Sequence, residues 1–341
     1  MSMRHYGADT HALADGGANL LPKGREKGMK GCGLRRGAIY SGVMKQTLRW
    51  TVFLTVLVFA IALLSLMASP ALRNRTWFEL DRVWPHHGGP GLPVFLGRVL
   101  RPTVPVWVQV EPHMNMRLDP VDDVDRNILI DGEWERETWH GLYEHVPRGG
   151  VFVDVGAHIG YYSLKAASMV GPGGRVLAIE PNPDTVRRLR ANIRASGASN
   201  VTVAPVACSD SEGVLELFAA AHINTGASSL SEANASHFGP VTAAYRVQGR
   251  RLDGIVQESG VTRVDVIKID VEGAEFMVLK GAAETLDRYH PVVVIEIIEG
   301  QLRAMGTSSA DVLRFFRAHG YALRHTYAAD ENSEFAFTPG R

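Results

Sequence analysis

The sequence predicts an α/β protein: a doubly wound, mostly parallel sheet with helices on both faces, preceded by one helix that spans a membrane. Three observations predict it. Short continuous apolar strands alternate with amphipathic helices after Leu118, a glycine turn follows an early strand of that series, and a charge-free apolar run lies near the N-terminus.

Taken in order, residues 1–46 are rich in Gly, Lys and Arg and show neither helical nor strand period, so they read as a disordered leader. Met44 is an alternative translation start just ahead of the next feature. Residues 47–69 read as a transmembrane helix, because no charge occurs between Arg49 and Arg73 and a bilayer needs about 20 apolar residues. Ser69-Pro70-Ala71 is a poor signal cleavage site, which favours a retained anchor. Residues 70–118 form a connector studded with prolines and with Trp77, Trp84 and Trp107. Prolines this dense forbid long helices, and a strand is expected over 104–110.

Residues 119–341 form the globular domain. Strands are expected over Val151–Val155, Arg175–Ile179, Val201–Ala207, Val264–Ile269 and Val292–Ile298, with part of a hairpin over Gly213–Phe218. Helices are expected through Tyr162–Met169, Pro183–Ser196, Ala274–Leu286 and Ala310–His319. Continuous apolar strands separated by helices imply a parallel sheet covered on both faces.

Lys plus Arg equals Asp plus Glu at 36 each. A balanced charge gives no footprint for a nucleic-acid partner, which calls for a basic excess. Two cysteines, Cys32 and Cys208, cannot build a disulfide framework.

Ligands of open α/β sheets sit beyond the carboxyl ends of the strands, and three acidic stations fall there. Asp154-Val155-Gly156-Ala157-His158-Ile159-Gly160 follows the first strand of the alternating series and opens a helix. Its glycines permit a tight turn and close backbone approach, although a sharp strand-to-helix turn needs glycine in any case. Glu180 ends the next strand, where an acid can accept both ribose hydroxyls of a nucleoside or simply cap the following helix. A glycine turn with an acid about twenty residues later points to a nucleoside cofactor. The G-x-G-x-x-G spacing of a nicotinamide-dependent oxidoreductase is absent. Asp270 and Glu272 end a later strand and can orient an acceptor hydroxyl or take its proton. Lys268 shares a strand face with Asp270, and the favoured reading is a pair that neutralises a buried charge.

In series, these stations resemble the FkbM-type family of class I S-adenosylmethionine-dependent methyltransferases, over about 130–298. The run begins with Gly132 to Glu135 and continues through Phe152 to Tyr162, Ile179 to Pro183, Ala207 to Asp210, Asn224 to Leu230 and Arg251 to Asp253. It closes with Ile267 to Glu275, Leu279 to Gly281 and Ile295-Glu296. The resemblance implies a Rossmann-like fold and O-methylation of a hydroxyl on a sugar, glycolipid or natural product, with S-adenosyl-L-methionine as cofactor. It implies that Asp154, Gly156, His158 and Gly160 surround the methionine part, Glu180 the ribose, and Ser209 and Asp210 the adenine. Asp270 and Glu272 then face the acceptor as catalytic residues. The family usually carries asparagine where this chain has His158.

A membrane-anchored binding protein that keeps the fold without catalysis is the rival reading; intact Asp154, Glu180, Asp270 and Glu272 argue against it. Acceptor contacts are expected from His222–Val247 and Tyr321–Arg341. The acceptor itself, any metal and the oligomeric state are not specified by the sequence. Basic residues flank the apolar run on both sides, and the small excess before it mildly favours a cytoplasmic N-terminus. That orientation would send the catalytic domain across the membrane, away from a cofactor that is cytoplasmic; the charge difference is small, so the expectation is a single-pass membrane protein whose catalytic domain lies in the cytoplasm.

Overall fold

The computed structural model describes residues 50–62, 104–327 and 331–338. The chain divides into two units, Met1–Ala62 and Leu63–Arg341. Of the first unit, the described part is a helix over 50–62 whose residues are all exposed. Among the described residues no helix is long and apolar enough to cross a membrane. The leader, the rest of the expected span and the connector up to residue 103 lie outside the described residues.

The second unit begins with a hairpin, β1 (Val106–Glu111) and β2 (Met114–Leu118), followed by α1 (Asp123–Asp131) and α2 (Arg136–Tyr143). The expected strand in the connector is therefore present, but as half of a hairpin that belongs to this unit. The backbone N–H groups of Asn115 and Arg117 donate to Ser196 Oγ and Asn192 Oδ1.

The alternating part follows: β3 (Val151–Val155), α3 (Tyr161–Val170), β4 (Arg175–Ile179), α4 (Pro183–Ser196) and β5 (Val201–Ala204). After β6 (Ala207–Cys208), β7 (Gly213–Ala219), α5 (Glu232–Ala235) and β8 (Ala243–Arg250) come α6 (Leu252–Ser259), β9 (Val266–Ile269), α7 (Glu275–Gly281) and α8 (Ala283–Tyr289). The chain ends with β10 (Val292–Glu296), α9 (Glu299–Ala304), α10 (Ser309–Ala318), β11 (Tyr321–Tyr327) and β12 (Asn332–Phe337). Local chemistry sets several boundaries. Asn182 caps α4 by accepting from Asp184 N–H, Pro183 opens the helix, and Gly197 closes it in the left-handed region.

Seven strands form the main sheet in the order β11-β12-β10-β9-β3-β4-β5, with β12 antiparallel to both neighbours and the rest parallel. This is the doubly wound, Rossmann-like architecture, with the strand order reversing at β3 and β9. Val151–Val155 is buried throughout, as expected of a strand covered on both faces. One core cluster packs around Val153, Ile269, Leu279 and Phe316, and another around Phe152, Trp139 and Leu164.

Three expectations differ from the fold. The strand over Val201–Ala207 splits, because Val206 turns the chain out of the main sheet and β6 joins β8 and β7 in a separate three-stranded sheet. The helix expected over Ala274–Leu286 is two helices meeting at Ala282. The last strands, β11 and β12, were not expected; five of the seven residues of β11 are exposed between two buried tyrosines, which masks a strand pattern.

Candidate active site

Strand register builds the site. Val155 is level with Ile179 on β4 and Ile269 on β9, and Ile269 is level with Ile295 on β10. The next residue on each strand is therefore Gly156, Glu180, Asp270 and Glu296, side by side along the carboxyl edge of the sheet. Gly156 has φ +83°, and a Cβ there would collide with the carbonyl oxygen of Asp270, so glycine is what lets the two strand ends lie together.

This edge floors a cavity of about 280 Å³. Asp154, Gly156, His158, Glu180, Asp270 and Glu272 all line it, so six of the nine residues singled out in the sequence converge there. Gly160 does not; it is the left-handed N-cap of α3, packed so closely that a Cβ would meet the Leu189 side chain. Ser209 and Asp210 also lie outside the lining. Ser209 is fully buried, Asp210 is ion-paired to Lys280, and the cavity wall on this side ends at Cys208.

Asp154 is 1% exposed. Its Oδ2 accepts from Ser163 Oγ at 2.5 Å, while its buried Oδ1 has no partner. Burial pushes its pKa up. Glu180 Oε1 accepts from Asn182 N–H at 2.8 Å and Oε2 from His158 N–H at 3.0 Å, yet burial still pushes it up to about 7. Each oxygen keeps a further lone pair for a ligand hydroxyl. Burial lowers His158 to about 4, so its ring is neutral.

On the other side, Lys268 is 2% exposed and is the single Lys or Arg among the described residues lining the cavity. It lies 2.8 Å from Asp270, 3.9 Å from Glu135 and 4.5 Å from the centre of the Tyr162 ring. Burial opposes its charge, but Asp270, Glu135 and Asp154 outweigh burial and hold its proton above the ordinary lysine range. The expected pairing of Lys268 with Asp270 is thus present. Glu272 accepts from Gln301 Nε2 at 2.6 Å, and burial followed by the charges of Asp270 and Glu275 pushes it up to about 8. Burial and the same crowd of carboxylates raise Glu296 well above its usual value. Oxygens of Asp270, Glu272 and Glu296 lie within 4.8 Å of one another, the one grouping among the described residues of a kind that can hold a metal ion. Lys268 already supplies a positive charge to it.

Sequence reasoning did not single out Glu135, Glu296, Thr225 or Trp134 as site residues, although all four line the cavity. All four did stand inside the motif series. Glu135 Oε2 accepts from Tyr162 OH at 2.7 Å, a contact across 27 residues that no local pattern announces.

The chain is similar to several known proteins. Residues 154–323 match the Methyltransferase FkbM domain. The chain is 28% identical over 252 residues, 64% of its length, to the AMB antimetabolite synthetase AmbE of Pseudomonas aeruginosa, of which it spans 12%. It is 31% identical over 169 residues, 49% of its length, to the hexuronic acid methyltransferase AglP of Haloferax volcanii, of which it spans 63%. A solved FkbM methyltransferase from Methylobacillus flagellatus shares 17% identity at a TM-score of 0.39, covering 78% of this chain and 59% of that one. The chain thus spans less than two thirds of each of these proteins.

The crowded carboxyls make stability depend on pH. Glu180 and Glu275 at about 7 and Glu272 at about 8 all lie above the ordinary value of 4.5. Each binds its proton more tightly in the folded chain than in the unfolded one, so stability falls as pH rises from about 4.5 to about 8. The ligand-free protein should melt at a higher temperature at about pH 5.5 than at about pH 8, and Glu272→Gln should flatten part of that slope. Thermal denaturation followed by circular dichroism checks this; a melting temperature that climbs with pH contradicts it.

Proposed function

The chain belongs to the FkbM methyltransferase family, and from that premise we propose that it transfers a methyl group from S-adenosylmethionine to a hydroxyl of a sugar, glycolipid or natural product. The observation that carries the reading is the row of Glu180, Gly156 and Asp270 at the point where strand order reverses, with Asp154 beneath it. These residues fit the cofactor. The partnerless Asp154 Oδ1 suits the methionine ammonium group, and Glu180 suits the ribose hydroxyls. The acidic wall suits a sulfonium cation. When bound, the cofactor supplies a methyl group already attached to a good leaving group.

The protein's task is then mainly alignment, since transfer is fastest when acceptor oxygen, methyl carbon and sulfur are held in line. Asp270 takes the proton that leaves the acceptor hydroxyl as its oxygen becomes an ether oxygen. Lys268, 2.8 Å away, holds that carboxylate in place. The similarity to a hexuronic acid methyltransferase supports a sugar-like acceptor. The full set of Asp154, Glu180, Asp270 and Glu272 in one cavity favours an enzyme over a binding protein that has lost catalysis.

The proposal extends to the membrane. Residues 47–69 form the single span, and the catalytic domain lies at the cytoplasmic face where the cofactor is made. The charge-free run from Trp50 to Ala68 and the exposed apolar helix over 50–62 support this.

Three outcomes are expected. Glu180→Ala should weaken S-adenosylmethionine binding by about 1.5–3 kcal/mol in calorimetry, as for lost hydrogen bonds to a charged group; wild-type affinity would sink the ribose assignment. Asp270→Asn should retain cofactor binding but lower transfer of labelled methyl to an extract of the producing cells by roughly 10²–10⁴. A folded variant that no longer binds cofactor would move Asp270 to the cofactor side. Protease added to intact spheroplasts should spare a C-terminal tag. Its loss while a cytoplasmic control survives reverses the orientation.

A further inference from the structure

We propose that Asp122 and Thr225 belong to the cofactor site as a catch: Thr225 closes a ring of hydrogen bonds through His158 and Glu180, Asp122 fastens it, and together they set how long the nucleoside stays bound. This rests on the reading above, that the cavity holds S-adenosylmethionine.

The ring can be followed bond by bond. Thr225 Oγ donates to Asp122 Oδ2 at 2.6 Å, and Thr225 N–H donates to the same oxygen at 2.7 Å. The threonine hydroxyl has then used its single proton, so towards His158 it can only accept. His158 Nε2, 2.9 Å away, is therefore the N–H donor, which fixes the tautomer of a neutral ring. The backbone N–H of His158 donates to Glu180 Oε2, and Glu180 Oε1 accepts from Asn182 N–H. Asn182 Nδ2 donates to Ser228 Oγ at 3.2 Å, and Ser228 Oγ donates to the Thr225 carbonyl at 2.9 Å, which closes the circuit.

Three features make this more than loop packing. His158, Glu180, Thr225 and Ser228 all line the cavity, so the ring is part of its wall. Its fastening, Asp122, is 1% exposed and caps α1 through a bond from Asp125 N–H, so it is held in a rigid element rather than a loop. A second link ties the same segments, with Asp123 N–H donating to the Ile223 carbonyl at 2.7 Å. Asp122 also lies outside the FkbM match at 154–323. The family domain is thus locked from a segment that precedes it. Histidine at 158 belongs to the same device, because its ring spans from the glycine turn to Thr225.

A wall fixed before the ligand arrives costs less ordering on binding and must be loosened for the ligand to leave, so weakening it acts mainly on dissociation. The test is stopped-flow release of S-adenosylmethionine and S-adenosylhomocysteine from the full-length protein, followed by tryptophan fluorescence with Trp134 in the cavity wall. Thr225→Val removes the hydroxyl at nearly constant shape and should raise the dissociation rate at least tenfold, with the association rate within threefold. Thr225→Ser should return dissociation to within threefold of wild type. Asp122→Asn carries the same expectation as Thr225→Val and serves if the valine variant does not fold. A folded variant with a lowered melting temperature but wild-type dissociation makes the ring merely structural and overturns the proposal. A wild-type protein that binds neither compound overturns the functional reading beneath it instead.

Discussion

The site depends on the parallel pairing of β3 with β9. These strands are distant in sequence, and their register sets Asp154 opposite Lys268 and brings Gly156 beside Asp270. A slip of one residue would send every side chain of β9 to the other face of the sheet. Lys268 and Asp270 share a face, so both would leave Glu135 for the opposite layer, and the pair would be lost from the cavity. The apolar partners on either side, Ile267 and Ile269 among Val153, Val155, Val293 and Ile295, are all at or below 1% exposure and oppose that slip by packing. Core packing and active-site charge are thus held by the same four residues of one strand.

The carboxyl edge is costly to maintain. Glu135, Asp154, Glu180, Asp270, Glu272 and Glu296 line one cavity with one lysine, and burial with mutual repulsion raises Asp154, Glu180, Glu272 and Glu296. Backbone strain gathers in the same place. Six described non-glycine residues have positive φ, and four of them, Glu135, His158, Glu272 and Glu331, line the cavity. Each such conformation costs on the order of 1–3 kcal/mol. Crowded carboxyls and strain gather at one edge of a well-packed sheet, and the interior supplies the stability that tolerates them.

The sheet was legible because its strands are short, apolar and uninterrupted, and the carboxyl-edge acids were legible because each directly follows such a run. Asp154, Glu180 and Asp270 needed only strand ends and the rule that ligands bind there. What stayed hidden depends on contacts between distant segments. Glu135 enters the site through Tyr162 and Lys268, and Thr225 enters through Asp122, 103 residues away. Ser209 and Asp210 illustrate the converse. Their motif position suggested a ligand, but β6 leaves the main sheet, and they end up buried or paired with Lys280. Gly160 was legible as a glycine the fold requires, and its reason is the Leu189 side chain rather than the cavity.

The segment ahead of the family match is the part of the chain best placed to give this protein its own character. Val124, Trp134 and Glu135 from that segment line the cavity, and Asp122 fastens its wall. The β1–β2 hairpin is bonded to α4, the helix that follows Glu180, through Ser196 and Asn192. Asn192 in turn donates to the Ile159 carbonyl in the glycine turn, so the hairpin, the nucleoside-side helix and that turn form one connected layer. Trp134 and Glu135 stand side by side in that wall, an aromatic face next to a carboxylate. The matched region thus supplies the strand-end acids, and the preceding residues complete the wall of the cavity.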